Sequence, residues 1–271
     1  MADVQPLRAL HYDLATVGPL ADVAAPPYDI IDPAQRAELA ARSPYNVVHV
    51  DLPDGEPDPY ANAAAILQRW RDEGAVVRDD EPALWTLSQG YTAPDGRALT
   101  RHGVFARVRV EDYGPGRIRP HERTHPGPKE DRLRLTRATR ANLSPIFSLY
   151  DDPHGATAPV LAVAVPFAEL TDDDGTVDRL GRVTDPKTIK GFQDALQSAE
   201  LLIADGHHRY ETARVYADEI GGEGEHRCVL MCLVALQDRG LTIFPTHRLI
   251  RDTTPQTQEA LGTTLRDLFA V

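Results

Sequence analysis

Apolar residues recur along the chain at two periods, and the switches between them predict alternating helices and strands. ANAAAILQRWRDEG places its apolar positions at helical spacing and closes on Gly74, which predicts a helix with a glycine C-cap. AQRAELAARS predicts another, with Asp32 as N-cap and Pro33 in the first helical position. ALWTLSQGYT and LTRHGVFARVRVEDY, joined by the turn APDGRA, predict a hairpin. NVVHVDL, SPIFSLYDD and PVLAVAVPF predict strands, and KEDRLRLTRATRANL and DPKTIKGFQDALQSA predict helices. The acidic TDDDGTVDRLG is expected to be a loop, and the Pro-rich ADVAAPPYDIIDPA an extended segment. LLIAD predicts a buried strand, YETARVYADEI the helix after it, and RCVLMCLVALQD with LTIFPTHRLI a last hairpin. The chain stops within a predicted helix, TPQTQEALGTTLRDLFA, as a truncated product would. These elements define an α+β class with mixed α/β sheets.

Composition narrows the functions. The 271 residues are 42% hydrophobic and 26% charged, enough for a substantial core. A net charge of −12 provides no global basic field, so nucleic acid is not an expected partner. No run of about 18 apolar residues and no leader pattern occurs, so no membrane partner is expected and a cytoplasmic location is. Cys228 and Cys232 share one apolar run, CVLMCLVAL, and read as core residues rather than a disulfide framework.

Two stretches concentrate chemistry. In LLIADGHHRYETA a strand turns through Asp-Gly directly into a helix, so unpaired backbone N–H groups and the helix dipole favour an anion there. Gly206 permits close backbone approach. Arg209, His207 and His208 add donors suited to phosphate oxygens, and Asp205 can hold magnesium or orient a hydroxyl. The plain alternative is an Asp cap beside a solvated cluster. In RIRPHERTHPGPKEDRLRLTRATRANL, a loop carrying His121, Glu122, Arg123, Thr124 and His125 is a natural place for a general base. Lys129 and Arg132 follow one turn apart on a basic helix and can clamp a polyanion, although Arg134, Arg137 and Arg140 equally describe a solvated face. PPYDIID, with Tyr28 and Asp29, reads as a pocket wall or as a structural extended segment. FPTHRLI, with Thr246, His247 and Arg248, offers a second anion contact. No Walker-type loop, GxGxxG or GxSxG occurs.

Taken together, AAPPYDIID, PHERTHPGPKEDRL, NLSPIFSLYDD, LLIADGHHRYETA and FPTHRLI resemble the bacterial and archaeal family known as domain of unknown function 1015, over nearly the whole chain. More distantly, a PHE loop, a helix, a Pro-Ile strand and a strand running into DGHHR are similar to the core of the ParB/sulfiredoxin superfamily, closest to the free serine kinases. That likeness implies a nucleotide-binding core over residues 101–271, with an insertion at about 151–200, behind an N-terminal α/β region over 1–100. It implies that Glu122 is the base activating the acceptor hydroxyl. It further implies that Asp205, Gly206, His208 and Arg209 bind phosphates and magnesium, with His207 at a variable position. Sulfiredoxins carry cysteine where His207 stands, which sets thiol repair aside.

The expected function is a nucleotide-dependent phosphotransferase acting on a small hydroxylated metabolite, free serine first. Glu122 and Asp205 are its catalytic residues, and Asp205 is its metal ligand. Gly206, His207, His208, Arg209, Lys129 and Arg132 are its cofactor-binding residues. ATP, ADP or CTP with Mg2+ is the expected cofactor set. The alternative is a ParB-like nucleotide-binding regulatory module without phosphoryl transfer. A third reading is a metal-dependent hydrolase using His207, His208 and His247.

Overall fold

The computed structural model describes residues 2–122, 126–243 and 251–269. FPTHRLI, with Thr246, His247 and Arg248, lies outside the described residues, as do Arg123, Thr124 and His125. Met1–Leu241 and Thr242–Val271 form two separate compact units.

The N-terminal part of the first unit has short strands β1 (Val4–Gln5) and β2 (Leu10–Tyr12), and helices α1 (Leu14–Val17) and α2 (Leu20–Val23). Helices α3 (Pro33–Arg42), α4 (Val48–Asp51) and α5 (Pro59–Asp72) follow, then β3 (Val76–Arg78), β4 (Leu84–Thr92), β5 (Ala98–Arg109) and β6 (Ile118–Arg119). Next come α6 (Pro126–Thr139), β7 (Ile146–Tyr150), α7 (Pro159–Ala162), β8 (Val165–Thr171), β9 (Val177–Val183) and α8 (Pro186–Leu196). β10 (Leu201–Asp205), α9 (His207–Ile220) and β11 (Cys228–Ala235) complete this unit. The second unit contributes α10 (Pro255–Leu268), capped by Thr254, whose hydroxyl accepts from Thr257 N–H.

The main sheet runs β6-β10-β7-β11-β5-β4-β9-β8, with β1 added against β5. β10 lies parallel to β6 and antiparallel to β7, and β11 lies parallel to β7 and antiparallel to β5, so the sheet is mixed as the alternation predicts. Period-2 alternation sorts the layers. Val229, Met231 and Leu233 of β11 join Ile146 of β7 and Leu201 and Ile203 of β10 under α8 and α9. Cys232, Val234 and Leu149 face the other way. A second core, around Trp70, Leu67 and Val50, joins the N-terminal helices to Leu135 of α6. The division expected near residue 100 falls inside β5, which pairs with β4 before it and β11 after it.

Several elements form as predicted, each for the reason its residues suggest. Asp32 caps α3 by accepting from Gln35 N–H, and Gly74 at φ 74° ends α5 one residue past its cap. Four local expectations are corrected. NVVHVDL is not a strand: the buried Asn46 donates to the carbonyls of Asp22 and Ala24 and accepts from Val48 N–H, which winds the segment into α4. PVLAVAVPF is a strand only in its second half, because Pro159 opens the turn of α7. The acidic segment is mostly hairpin. Asp172 accepts from the N–H groups of Asp174 and Thr176, Gly175 takes φ 81°, and β9 begins at Val177. The Pro-rich segment contains α2 and a 3-10 turn at Tyr28–Ile30 instead of running extended.

Candidate functional site

β10 delivers Asp205 to the sheet edge, and Gly206 turns the chain into α9 with φ 96° and ψ 28°. Left-handed backbone is costly for residues with a Cβ, so glycine meets this need directly. It meets a second need as well: a Cβ there would stand 3.0 Å from both Cζ and Nε of Arg209. The guanidinium packs in the space a side chain would fill. It donates to Pro145 O at the start of β7 and to the Asp205 carboxylate, tying the end of β10 to its neighbour. Its Nε is buried without a hydrogen-bond partner among the described residues. Among the described residues no side chain caps α9, which leaves the first-turn amides and the helix dipole to attract an anion.

The PHE loop comes to this turn. His121 Nε2 lies 3.1 Å from Ala204 O, and the His121 and His207 rings meet edge to face at 4.5 Å. His207 is 1% exposed. Its Nε2 accepts from His121 N–H at 3.2 Å, so the neutral ring carries its proton on Nδ1. Nδ1 faces Glu122 Oε1 at 3.2 Å but off the line of a hydrogen bond, and has no hydrogen-bond partner among the described residues. Burial lowers the His207 pKa, and Glu122 only partly opposes the shift. Glu122 itself is half exposed, a carboxylate at a surface with a neutral imidazole behind it.

A cavity of about 480 Å³ lies on the other side of α9. Arg209, Thr212, Ala213 and Tyr216 line it at helical spacing, whereas His207 and Tyr210 face away. Tyr210 instead hydrogen-bonds the Glu111 backbone and stacks on Tyr113 at 5.3 Å. The cavity's remaining walls include Tyr28, Asp51, Arg132 and Ser144. Arg132 is buried and fully engaged, donating to Asp131 and to both the carbonyl and the carboxylate of Asp51. Asp51 also accepts from Ser144 at 2.7 Å. Tyr28 lies under both guanidiniums, 4.2 Å from Arg132 and 5.8 Å from Arg209.

Asp205, Gly206, His207 and Arg209 thus meet at one turn, with Glu122 against His207, and half-buried His208 sits in the same first turn of α9. Arg132 shares the Tyr28 ring with Arg209 of that turn but has its own donors spent on Asp51 and Asp131. Lys129 reaches α9 through its backbone, accepting from Thr212 Oγ1, and does not line the cavity. Asp51, Ser144 and Thr212 were not candidates in the sequence. Asp51 carries no local signal, because a tertiary clamp at Asn46 shapes the turn that delivers it. Tyr28 had one, in the rigid PPYDIID wall. Among the described residues no three His, Cys, Asp or Glu side chains are grouped to hold a metal ion. No described helix is long and apolar enough to cross a membrane.

Fold and site together define a mixed α/β protein built around an uncapped strand–glycine–helix turn. A family model described as protein of unknown function (DUF1015) matches residues 4–271, so the chain belongs to that family. No curated protein and no solved structure matches it.

Proposed function

We propose that this protein is a nucleotide-dependent phosphotransferase acting on a small hydroxylated metabolite, with free serine the first acceptor to test. The observation that carries the reading is the meeting of Glu122 and His207 with the uncapped N-terminus of α9. The likeness of PHE and DGHHR to the serine kinases adds support. In the proposed reaction Glu122 takes the proton from the acceptor hydroxyl. The freed oxygen attacks the terminal phosphorus, and the bond to the bridging oxygen breaks to release the shortened nucleotide. First-turn amides of α9 and Arg209 offset charge on the transferring group. Asp205 is the carboxylate available to a magnesium ion, which characteristically takes one or two carboxylates and completes its shell with phosphates and water, neutralising phosphate charge. For that, Arg209 exchanges Asp205 for phosphate oxygens.

The test is transfer from labelled ATP, ADP and CTP to serine and related hydroxylated metabolites, with Glu122→Gln alongside. The expected loss is about 10²–10⁴-fold in turnover, the range for removing a general base. Equal activity in both proteins, or none with any donor and acceptor, overturns the assignment. A binding module without transfer is the second reading, favoured by the engagement of Asp205 with Arg209. Its signature is thermal stabilisation by a nucleotide with no turnover.

A further inference from the structure

The cavity between α6 and α9 is chemically unlike the turn beside it. Its floor is charge-compensated: Arg132 is held by Asp51 and Asp131, and Asp51 also holds Ser144. Arg209 spends its terminal nitrogens on Pro145 and Asp205. A polyphosphate on that floor would have to break the buried Arg132–Asp51 pair, at high cost, whereas an uncharged group would leave it intact.

Size and lining say what that group is. The wall on α9 runs from Arg209 to Tyr216, two helical turns or about 10 Å. Leu135, Leu143 and Val229 supply apolar surface, and Tyr216 supplies a ring. The Tyr28 and Tyr216 side chains and the exposed Asn142 bring hydroxyl and amide groups to the lining. Arg140, at the rim, ends α6 with φ 52°, a left-handed position where glycine is favoured. Together these make an amphipathic slot, lined by two tyrosines and by polar groups, as pockets for ring-bearing metabolites are.

We infer that this cavity receives the uncharged, ring-bearing half of a nucleotide, its base and ribose, while the phosphates stay at the N-terminus of α9. The base stacks on Tyr216 with its edge at Asn142, and the ribose lies at the Arg209 end beside Tyr28. This rests on the nucleotide reading above and adds the pocket that selects the base.

Calorimetry tests it with ADP, CDP, adenosine, cytidine and pyrophosphate on the wild type, Tyr216→Ala and Asn142→Ala. Loss of one stacking ring weakens nucleotide and nucleoside binding roughly tenfold and leaves pyrophosphate unchanged. Asn142→Ala, on the exposed rim where folding is not at stake, alters the ratio of ADP to CDP affinity. If nucleotides bind and neither variant changes their affinity, the base pocket is wrong while the nucleotide reading stands. If neither nucleotides nor pyrophosphate bind the wild type, both fall.

Discussion

On the cavity face of α9, Arg209 and the neighbouring Arg132 have carboxylates within hydrogen-bond reach, and Tyr28 covers both. On the opposite face, His207 is more deeply buried, yet its Nδ1 has no hydrogen bond among the described residues and the acceptor facing it belongs to a half-exposed glutamate. Buried polar groups are ordinarily satisfied, so the two orphans on α9 among the described residues, Arg209 Nε on the one face and His207 Nδ1 on the other, mark hydrogen-bonding capacity that the fold leaves over. On the cavity face Arg132 and Ser144 hold the N-terminal helices through Asp51, beneath the space inferred to receive the base. The other face sets a buried imidazole with a lowered pKa against a half-exposed carboxylate, the pair that the proposed transfer would use. Arginines that read as phosphate ligands in the sequence are therefore divided by their partners: Arg132 is committed to the fold, and Arg209 is shared between fold and turn.

The strongest way to break this contrast is to remove Arg132. Arg132→Met leaves Asp51 buried with Ser144 as its remaining side-chain partner, and the expected loss is about 3–5 kcal/mol in urea denaturation. Adding Asp51→Leu removes the orphaned charge and should recover much of that loss. A single variant that costs under about 1 kcal/mol would show that the pair is not structural. A smaller effect is expected at Gly206. Gly206→Ala meets an unfavourable φ of 96° and puts a methyl 3.0 Å from the Arg209 guanidinium. About 1–2 kcal/mol of stability should go, and Arg209 should leave Asp205. A crystal structure of the variant with Arg209 still on Pro145 and Asp205 would contradict the role given to the missing Cβ.

How far the sequence reveals this is uneven, for physical reasons. The strand–glycine–helix turn is legible because its signal is local: an apolar run, a glycine where φ must be positive, then helical spacing. Glu122 is legible as a candidate through its neighbours in a short loop, although its contact with His207 depends on folding. What fails is non-local. Val47, Val48 and Val50 look like a strand, yet Val47 caps a helix that holds Val48 and Val50, because Asn46 clamps the carbonyls of Asp22 and Ala24. The same event delivers Asp51 to Arg132, so one tertiary clamp hides both an element and the partner that decides an arginine's role. The Asp172–Thr176 turn was, by contrast, readable: Asp-Gly between two strand-like runs is a hairpin signal, masked by the run of acidic residues around it.

The smallest expected effect concerns a slope and sharpens the reading of His207. Burial lowers its pKa, so between that value and the usual imidazole value of about 6.5 the folded protein binds fewer protons than the unfolded chain. Stability from this residue is then fully present above about pH 6.5 and declines as pH falls through that window, by at most one proton's worth of slope. The facing groups are Glu122 and Asp205, which resist the shift, and His121 and His208, which reinforce it. Protonation at Nε2 also turns the acceptor for His121 N–H into a donor and so loosens the loop that carries Glu122. His207→Gln removes the titration. Denaturation measured from pH 7.5 to 5 should therefore show the wild type losing stability more steeply than the variant below about pH 6.5, with parallel curves above it. Curves parallel throughout would mean that His207 is not held neutral by its burial, and the pair on that face of α9 would lose its physical basis.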